Sequence, residues 1–300
     1  MRVFLTGATG FIGSRIVPEL LAVGHQVLGL TRSMGGAEWL VSAGAEAHLG
    51  TLEDLDSIRI GAAGADAVIH TAFDHDFTNF AANCEKDRRV IEALGSALNG
   101  SARPLLITSG TGMGDAGDGR PASEDVFNPR HPNPRILSEV AAQALLEDGV
   151  NVSVMRLPQV HDTLRQGLIS PYIQISREKG SVAYVEEGLN RWPAAHVLDV
   201  AKLYALALDH CEAGARYHAV AEEGITARAI AEVIAAALNL PVFSMSAGKA
   251  ADHFGWFAMF ADLDMPASSA RTRTLLNWNP NGPTLLTDLG NMDYSVARAQ

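Results

Sequence analysis

The sequence predicts an α/β protein, with a doubly wound parallel sheet followed by a smaller C-terminal lobe for substrate. Three observations predict it. Short β-branched apolar runs alternate with stretches of helical period through the first half, the first run leads directly into a glycine-rich turn, and the alternation stops after residue 156. The runs near 2–6, 26–31, 45–49, 66–71, 103–109 and 151–156 read as strands, with helices near 11–23, 54–61, 76–99 and 134–148 between them. Runs such as "VFL" and "PLLIT" are apolar without alternation, which suits strands covered on both faces, and right-handed crossovers through the helices give the doubly wound order. Ligands of such a sheet sit at the carboxyl ends of its strands.

Composition sets limits on partners. The chain has 300 residues, 47% hydrophobic and 19% charged, enough to bury a sizeable core. A formal charge of −11, with no cluster among the 23 Lys and Arg, argues against nucleic acid and against an anionic membrane surface. Cys84 and Cys211 stand far apart without metal-ligand spacing, so buried free thiols in a reducing compartment are expected, with no disulfide and no metal. The start "MRVFLTGATG" has the pattern of neither a signal peptide nor an anchor, and no apolar stretch is long enough to span a bilayer, so a cytoplasmic location is expected.

The first strand runs into "TGATGFIGS". Gly7, Gly10 and Gly13, with Thr9, Phe11 and Ile12 between them, stand where a strand meets a helix. Glycine there lets the backbone approach a pyrophosphate, whose charge is met by the free N–H groups at the helix start. The second strand, "HQVLGLTRS", ends in Arg32 and Ser33, where an NAD site would offer an acidic residue to the ribose 2′-hydroxyl. An arginine in that place suits a 2′-phosphate, which favours NADP(H) over NAD(H). The second half reads as a helix in "GLISPYIQISREKGS", a return to the sheet domain in "NRWPAAHVLDVAKLYALALDHC", and then short elements. The predicted division is a nucleotide-binding domain, 1–163 plus 192–212, and a substrate lobe, 164–191 plus 213–300.

Several motifs in order carry a family resemblance: "TGATGFIG", "VIHTAF" at 68–73, "LLITSGTGMGD" at 105–115, "RLPQVHD" at 156–162, "HVLDVAKLYALAL" at 196–208 and "LLNWNP" at 275–280. Together the chain resembles the extended and atypical short-chain dehydrogenase/reductases, the NAD-dependent epimerase/dehydratase superfamily, over nearly its whole length. The resemblance implies a Rossmann-type fold with Thr71, Ala72 and Phe73 beside the cofactor, Leu52 near the adenine and Pro158 lining the nicotinamide. It puts the catalytic hydroxyl on Ser109, and Met113-Gly114 where members usually have Tyr-Gly. It also implies a monomer or a homodimer joined through the helices near 76–99 and 134–148.

The family's tyrosine four residues before a lysine is missing. The four lysines, Lys86, Lys179, Lys202 and Lys249, follow Ala82, Ile175, Leu198 and Met245 at that spacing. Aligning "PRILSEVAAQAL" without gaps puts Arg135 in the tyrosine's place and Glu139 in the lysine's, and neither does the lost work as usually written. Asn133-Pro134 reads as a helix cap and first helical position, with Arg135 in the first turn and His131 outside it. An Arg135–Glu139 intrahelical pair, about 0.3–0.5 kcal/mol, is one expectation. The other follows a subgroup the chain resembles, with His-xxx-Arg near the missing motif: His131 supplies the proton while Arg135 polarises a carbonyl or grips the cofactor. His70, His161 and His196 read as strand-end or helix-start residues, His161 close enough to Pro158 to face the substrate.

The leading expectation is an NADP(H)-dependent oxidoreductase acting on a small aldehyde, ketone or alcohol. The alternatives are an epimerase or dehydratase using the cofactor transiently, and an NADP-sensing binding protein without turnover. Arg165, Arg177, Arg191, Arg271 and Arg273 are available for a sugar nucleotide, but the apolar "HFGWFAMFADLDM" at 253–265 points to a hydrophobic pocket or core.

Overall fold

The computed structural model describes residues 1–295. Its centre is a seven-stranded sheet of β1 (Arg2–Thr6), β2 (Gln26–Thr31), β3 (Glu46–Leu49), β4 (Ala67–His70), β5 (Leu105–Gly110), β6 (Val152–Leu157) and β10 (Arg216–His218). All neighbours pair in parallel, in the order β10-β6-β5-β4-β1-β2-β3. The chain builds outward from β1 to β3, then crosses back to β4 and builds the other way. The reversal between β1 and β4 opens a crevice at the carboxyl ends of those strands, which is where such sheets take ligands.

Helices cover both faces. On one side α1 (Gly13–Ala22) and α7 (Val197–His210) lay Ile16, Leu20, Val200, Leu203 and Tyr204 against the sheet. On the other, α3 (Leu55–Ala63), α4 (Phe80–Leu98) and α5 (Ile136–Glu147) bury Ile58, Val90, Ile91, Leu94 and Leu145 against Phe4, Val68 and Ile107. Fully covered faces explain the unbroken apolar strands.

The expected strands and helices are present with ends shifted by a residue or two, except that the helix expected near 76–99 begins at Phe80, after a short 3-10 turn over Phe77–Asn79. One helix is added: α2 (Met34–Ser42), which the Ser33 hydroxyl caps by accepting from Gly36 N at 3.1 Å. Its opening glycines lower helix propensity, yet Gly36 is required, because a Cβ there would stand 2.2 Å from Thr31 Oγ1. α5 starts later than predicted. Pro134 and Arg135 form a turn in which Asn133 Oδ1 accepts from Arg135 N at 2.9 Å, so Arg135 is the cap residue of α5 and does not lie within its first turn.

The remaining strands form smaller sheets. β7 (Gln159–His161) pairs with β9 (Arg191–His196), which pairs with β11 (Glu222–Thr226), while β8 (Val182–Val185) pairs with β12 (Val242–Met245). Around them α6 (Ile169–Lys179), α8 (Ala227–Leu238), α9 (Ala250–Phe254), α10 (Ala258–Ala261) and α12 (Leu285–Asn291) close a second core containing Ile173, Trp192, Ile234, Phe254, Phe257 and Leu289. The 253–265 stretch is therefore largely lobe core. Two details depart from the predicted division. Strand 191–196 joins the small sheet, and residues 216–218, assigned to the lobe, run as an edge strand of the main sheet, flanked by α11 (Ala270–Leu276). Cys84 is buried, whereas Cys211 is half-buried and ends α7 with a left-handed φ of 57°.

The α4–α5 contact positions the site described below. Gly95 admits Leu145 so closely that a Cβ would lie 2.3 Å from its Cδ2. Gly95→Val is expected to destabilise the protein by about 1–3 kcal/mol through overpacking, read as a lower midpoint in urea unfolding.

Candidate active site

The turn after β1 is built by close backbone approach. Gly7 has φ 71°, and a Cβ on it would lie 2.7 Å from Thr71 Oγ1 and 2.8 Å from Ala72 N. At Gly13 a Cβ would fall 2.1 Å from Gly7 O. Thr71 Oγ1 donates to Thr6 O at 2.8 Å, and Ala72 N donates to Thr6 Oγ1 at 3.3 Å, which ties the ends of β1 and β4. Thr9 and Gly10 are exposed and Phe11 and Ile12 half-buried. α1 opens without a side-chain cap and without an acidic residue in its first turn. Open N–H donors and a tight turn with glycine at positions 7, 10 and 13 fit a pyrophosphate. Arg32 is exposed at the end of β2, while the Ser33 hydroxyl is engaged in capping α2. Leu52 and Pro158 are half-buried, after β3 and β6 respectively.

At the ends of β4 and β5 lies a buried polar network that centres on Asp87 of α4, only 2% exposed. Asp87 Oδ2 accepts from Arg135 Nη1 at 2.5 Å and from Ser138 Oγ at 2.6 Å, and Oδ1 accepts from His70 Nε2 at 3.0 Å. Because the carboxylate only accepts, His70 Nε2 is the donor to it, and His70 Nδ1 lies 2.6 Å from Thr6 Oγ1. Burial alone would push the Asp87 carboxyl up; the Arg135 guanidinium, with hydrogen bonds from His70 and Ser138, overrides this and holds it well below the usual carboxylate range. Arg135 also donates from Nη2 to Thr108 O at 2.8 Å and lies 4.2 Å over the Phe73 ring. Tyr204, fully buried, donates to Thr108 Oγ1 at 2.6 Å, and Thr108 Oγ1 donates to His70 O at 2.7 Å.

Ser109 follows Thr108. It is 3% exposed, and its hydroxyl has no hydrogen-bond partner among the described residues. A buried hydroxyl without a partner at the carboxyl end of a strand points to a ligand or water outside the protein chain. His131 is half-buried, and its Nδ1 accepts from Asn133 N at 3.1 Å, so a neutral ring carries its proton on Nε2. Arg135 and Ser109 are thus brought together through Thr108, while no hydrogen bond or ring contact among the described residues joins His131 to either.

The expected Arg135–Glu139 pair does not form. Glu139 is fully buried and binds Arg156 in a bidentate pair, Nε to Oε1 at 2.8 Å and Nη2 to Oε2 at 2.7 Å, with Arg216 Nε 3.2 Å from Oε2. Glu139 thus faces β6 and β10 and is turned away from Arg135. Arg156 also donates to the carbonyls of Ser123 and Val126, and His218 Nδ1 donates to Ser268 O at 2.8 Å while its Nε2 lies 3.2 Å from Arg156 Nη1. His161, fully buried, is bonded through Nδ1 to Asp288 Oδ2 at 2.7 Å, and His196 caps α7.

Asp87, His70 and Thr6 escaped the sequence reading as parts of the site. The signal for Asp87 was present: it shares the apolar stripe of α4 with Cys84, Val90, Ile91 and Leu94, and an acid on a buried stripe needs a cation. Nothing local says that this cation is 48 residues away. Among the described residues no group of three or more His, Cys, Asp or Glu is placed to hold a metal ion, and no helix is long and apolar enough to cross a membrane.

A parallel sheet with this strand order, a glycine-rich turn at its reversal and an unpartnered hydroxyl next to the residue that Arg135 grips define a dinucleotide-binding α/β protein. Residues 3–221 match the family described as NAD dependent epimerase/dehydratase, and the chain belongs to that family, which binds a nicotinamide dinucleotide. It is 45% identical over 295 residues to an uncharacterized protein of Schizosaccharomyces pombe, covering 98% of this chain and all of that one. A shorter stretch of 72 residues, 24% of this chain and 22% of the other, is 39% identical to 4-hydroxy-2-methyl-3-oxo-4-farnesyl-3,4-dihydroquinoline-1-oxide ketoreductase of Stigmatella aurantiaca. In fold the chain is similar to dTDP-glucose 4,6-dehydratase of Streptomyces venezuelae, solved with NAD bound, at a TM-score of 0.77 and 19% identity over 97% of this chain and 95% of that one.

His218 gives the fold an acid limit. Burial first and Arg156 second push its imidazole down to about 3, whereas an unfolded histidine titrates near about 6.5. Between those values the unfolded chain binds the extra proton, so the contribution is complete above the higher value and is lost as pH falls toward the lower. Unfolding free energy in urea is expected to decline from pH ~7 to pH ~4, and His218→Gln to make that decline shallower by about 1.4 kcal/mol per pH unit.

Proposed function

We propose that the protein is an NADP(H)-dependent oxidoreductase that reduces a small aldehyde or ketone, or runs that reaction in reverse. The observation that carries this reading is the unpartnered buried hydroxyl of Ser109 next to the carbonyl on which Arg135 is hooked. The Gly7–Gly13 turn, with Thr9, Phe11 and Ile12, would receive the pyrophosphate, and Thr71, Ala72, Phe73, Leu52 and Pro158 would flank the rest of the cofactor. When bound, the nicotinamide supplies or takes the hydride.

Ser109 would donate a hydrogen bond from its free hydroxyl to the substrate carbonyl oxygen and so orient it. Of the five N–H groups of a guanidinium, three in Arg135 reach Asp87, Ser138 and Thr108, and the other two remain to hold the cofactor. The charge is permanent, so it also favours negative charge building up on the neighbouring oxygen. His131 would offer a hydrogen bond to the substrate oxygen through Nε2, since Nδ1 accepts from Asn133 N, and the proton that completes the alcohol would come from water. The sealed position of Glu139 supports this pairing of His131 with Arg135 over the ungapped alternative.

Arg32, exposed and without an ion pair among the described residues, supports a preference for the 2′-phosphate of NADP(H). A sugar nucleotide fits less well, because arginines suited to its pyrophosphate are engaged: Arg177 with the Tyr294 carbonyl, Arg191 with Asp264, Arg271 with Asp125, and Arg273 with the carbonyls of Val220 and Ala221.

Calorimetry with NADPH and NADH, followed by NADPH oxidation across a panel of aldehydes and ketones, tests the reading. Ser109→Ala is expected to lower turnover about 100-fold with little change in cofactor affinity, and Arg32→Ala to weaken NADPH about 10- to 100-fold while sparing NADH. A protein that binds NADPH yet oxidises none of it across the panel would falsify the oxidoreductase assignment.

A further inference from the structure

We infer that Asp87 is the positioning residue of Arg135, and that His70 and Thr6 complete a buried chain fixing where the guanidinium stands at the cofactor. The inference rests on the reading of Arg135 as the cofactor-holding group. The chain is continuous. Thr6, the residue before Gly7, meets His70 at the end of β4; His70 meets Asp87; Asp87 meets Arg135; and Arg135 meets the carbonyl preceding Ser109. It runs from the turn that would receive the phosphates to the backbone carbonyl that precedes Ser109.

An ion pair that only fastened α4 to α5 would not need this arrangement. Those helices already interlock through Gly95 and Leu145, and an apolar pair would hold them as well or better. The same segment also offers an internal comparison. The Arg156–Glu139 pair is sealed, with both side chains 0% exposed, as a purely structural pair would be. In the Arg135–Asp87 pair only the acid is sealed; the arginine keeps 13% of its side chain open and lies over Phe73, on the loop that leaves β4. One end is locked and the other faces the crevice. A guanidinium on a long flexible side chain loses rotamer freedom when it grips a ligand, and a fixed carboxylate removes that cost in advance.

The test is a double-mutant cycle in which the affinity of purified full-length protein for NADPH is measured by calorimetry, with thermal unfolding of each variant without cofactor as a control for folding. Asp87→Asn keeps the shape and removes the charge. It is expected to weaken NADPH about 10- to 100-fold when Arg135 is present, and by less than about 2-fold on the Arg135→Ala background. Should Asp87→Asn fail to fold, Ser138→Ala removes one hydroxyl that touches both partners, with an expected loss of about 3- to 10-fold that likewise vanishes on the Arg135→Ala background. The proposal is overturned if either variant weakens NADPH equally with and without Arg135, or if Asp87→Asn folds and leaves affinity unchanged while Arg135→Ala lowers it. A wild-type protein that binds NADPH and is indifferent to Arg135→Ala refutes the cofactor-holding reading, and one that binds no nicotinamide cofactor refutes the site; both take the positioning role with them.

Discussion

Asp87 is a carboxylate with almost no access to water, and a charge so placed persists only where the fold delivers a cation to it. That requirement fixes Arg135. Four residues along the chain Glu139 offers the local pairing that helix geometry favours, but such a pair contributes only about 0.3–0.5 kcal/mol. Leaving a buried carboxylate without its partner costs about 3–5 kcal/mol. The buried acid's need outweighs the local pairing, and Arg135 reaches across to α4. The turn made by Asn133 and Pro134 allows this, because it holds Arg135 at the helix cap, where the side chain is free of the neighbouring helical turns.

Glu139, released from Arg135, has a role of its own. Its bidentate bond to Arg156 lets that arginine offer its other N–H groups to the carbonyls of Ser123 and Val126, which pins the segment leading to His131 against β6. Gly114 belongs to the same construction: a Cβ there would lie 2.6 Å from Arg156 Nη1 and 2.5 Å from Ser123 O. The cap and first turn of α5 therefore carry two ion pairs with different surroundings, one sealed under the loop and one with its arginine partly exposed.

The fold was readable because its physics is local. A strand covered on both faces must be apolar throughout, so "VFL" and "PLLIT" announced themselves, and the glycines after β1 declare a turn where side chains do not fit. What escaped was short or non-local. α2 begins with two glycines that mask its period, and β10 is three residues that become a strand only because β6 has a free edge. In the site, Ser109 was legible from its place on a strand end. The partner of Arg135 was not, since helix spacing points to Glu139 and only the three-dimensional packing of α4 on α5 brings Asp87 within reach.

The same geometry explains how a guanidinium is held in a single plane at this site. An ammonium is a compact point charge that adapts to its acceptors, whereas a guanidinium is a broad planar fork whose orientation decides which N–H groups face a ligand. An arginine therefore needs acceptors along one side to set its plane. Asp87, Ser138 and the Thr108 carbonyl supply them, and the Phe73 ring supports the flat face. In this chain the cation and its carboxylate form a set contributed by two helices: without Asp87 the fork has no fixed plane, and without Arg135 the acid has no counter-charge.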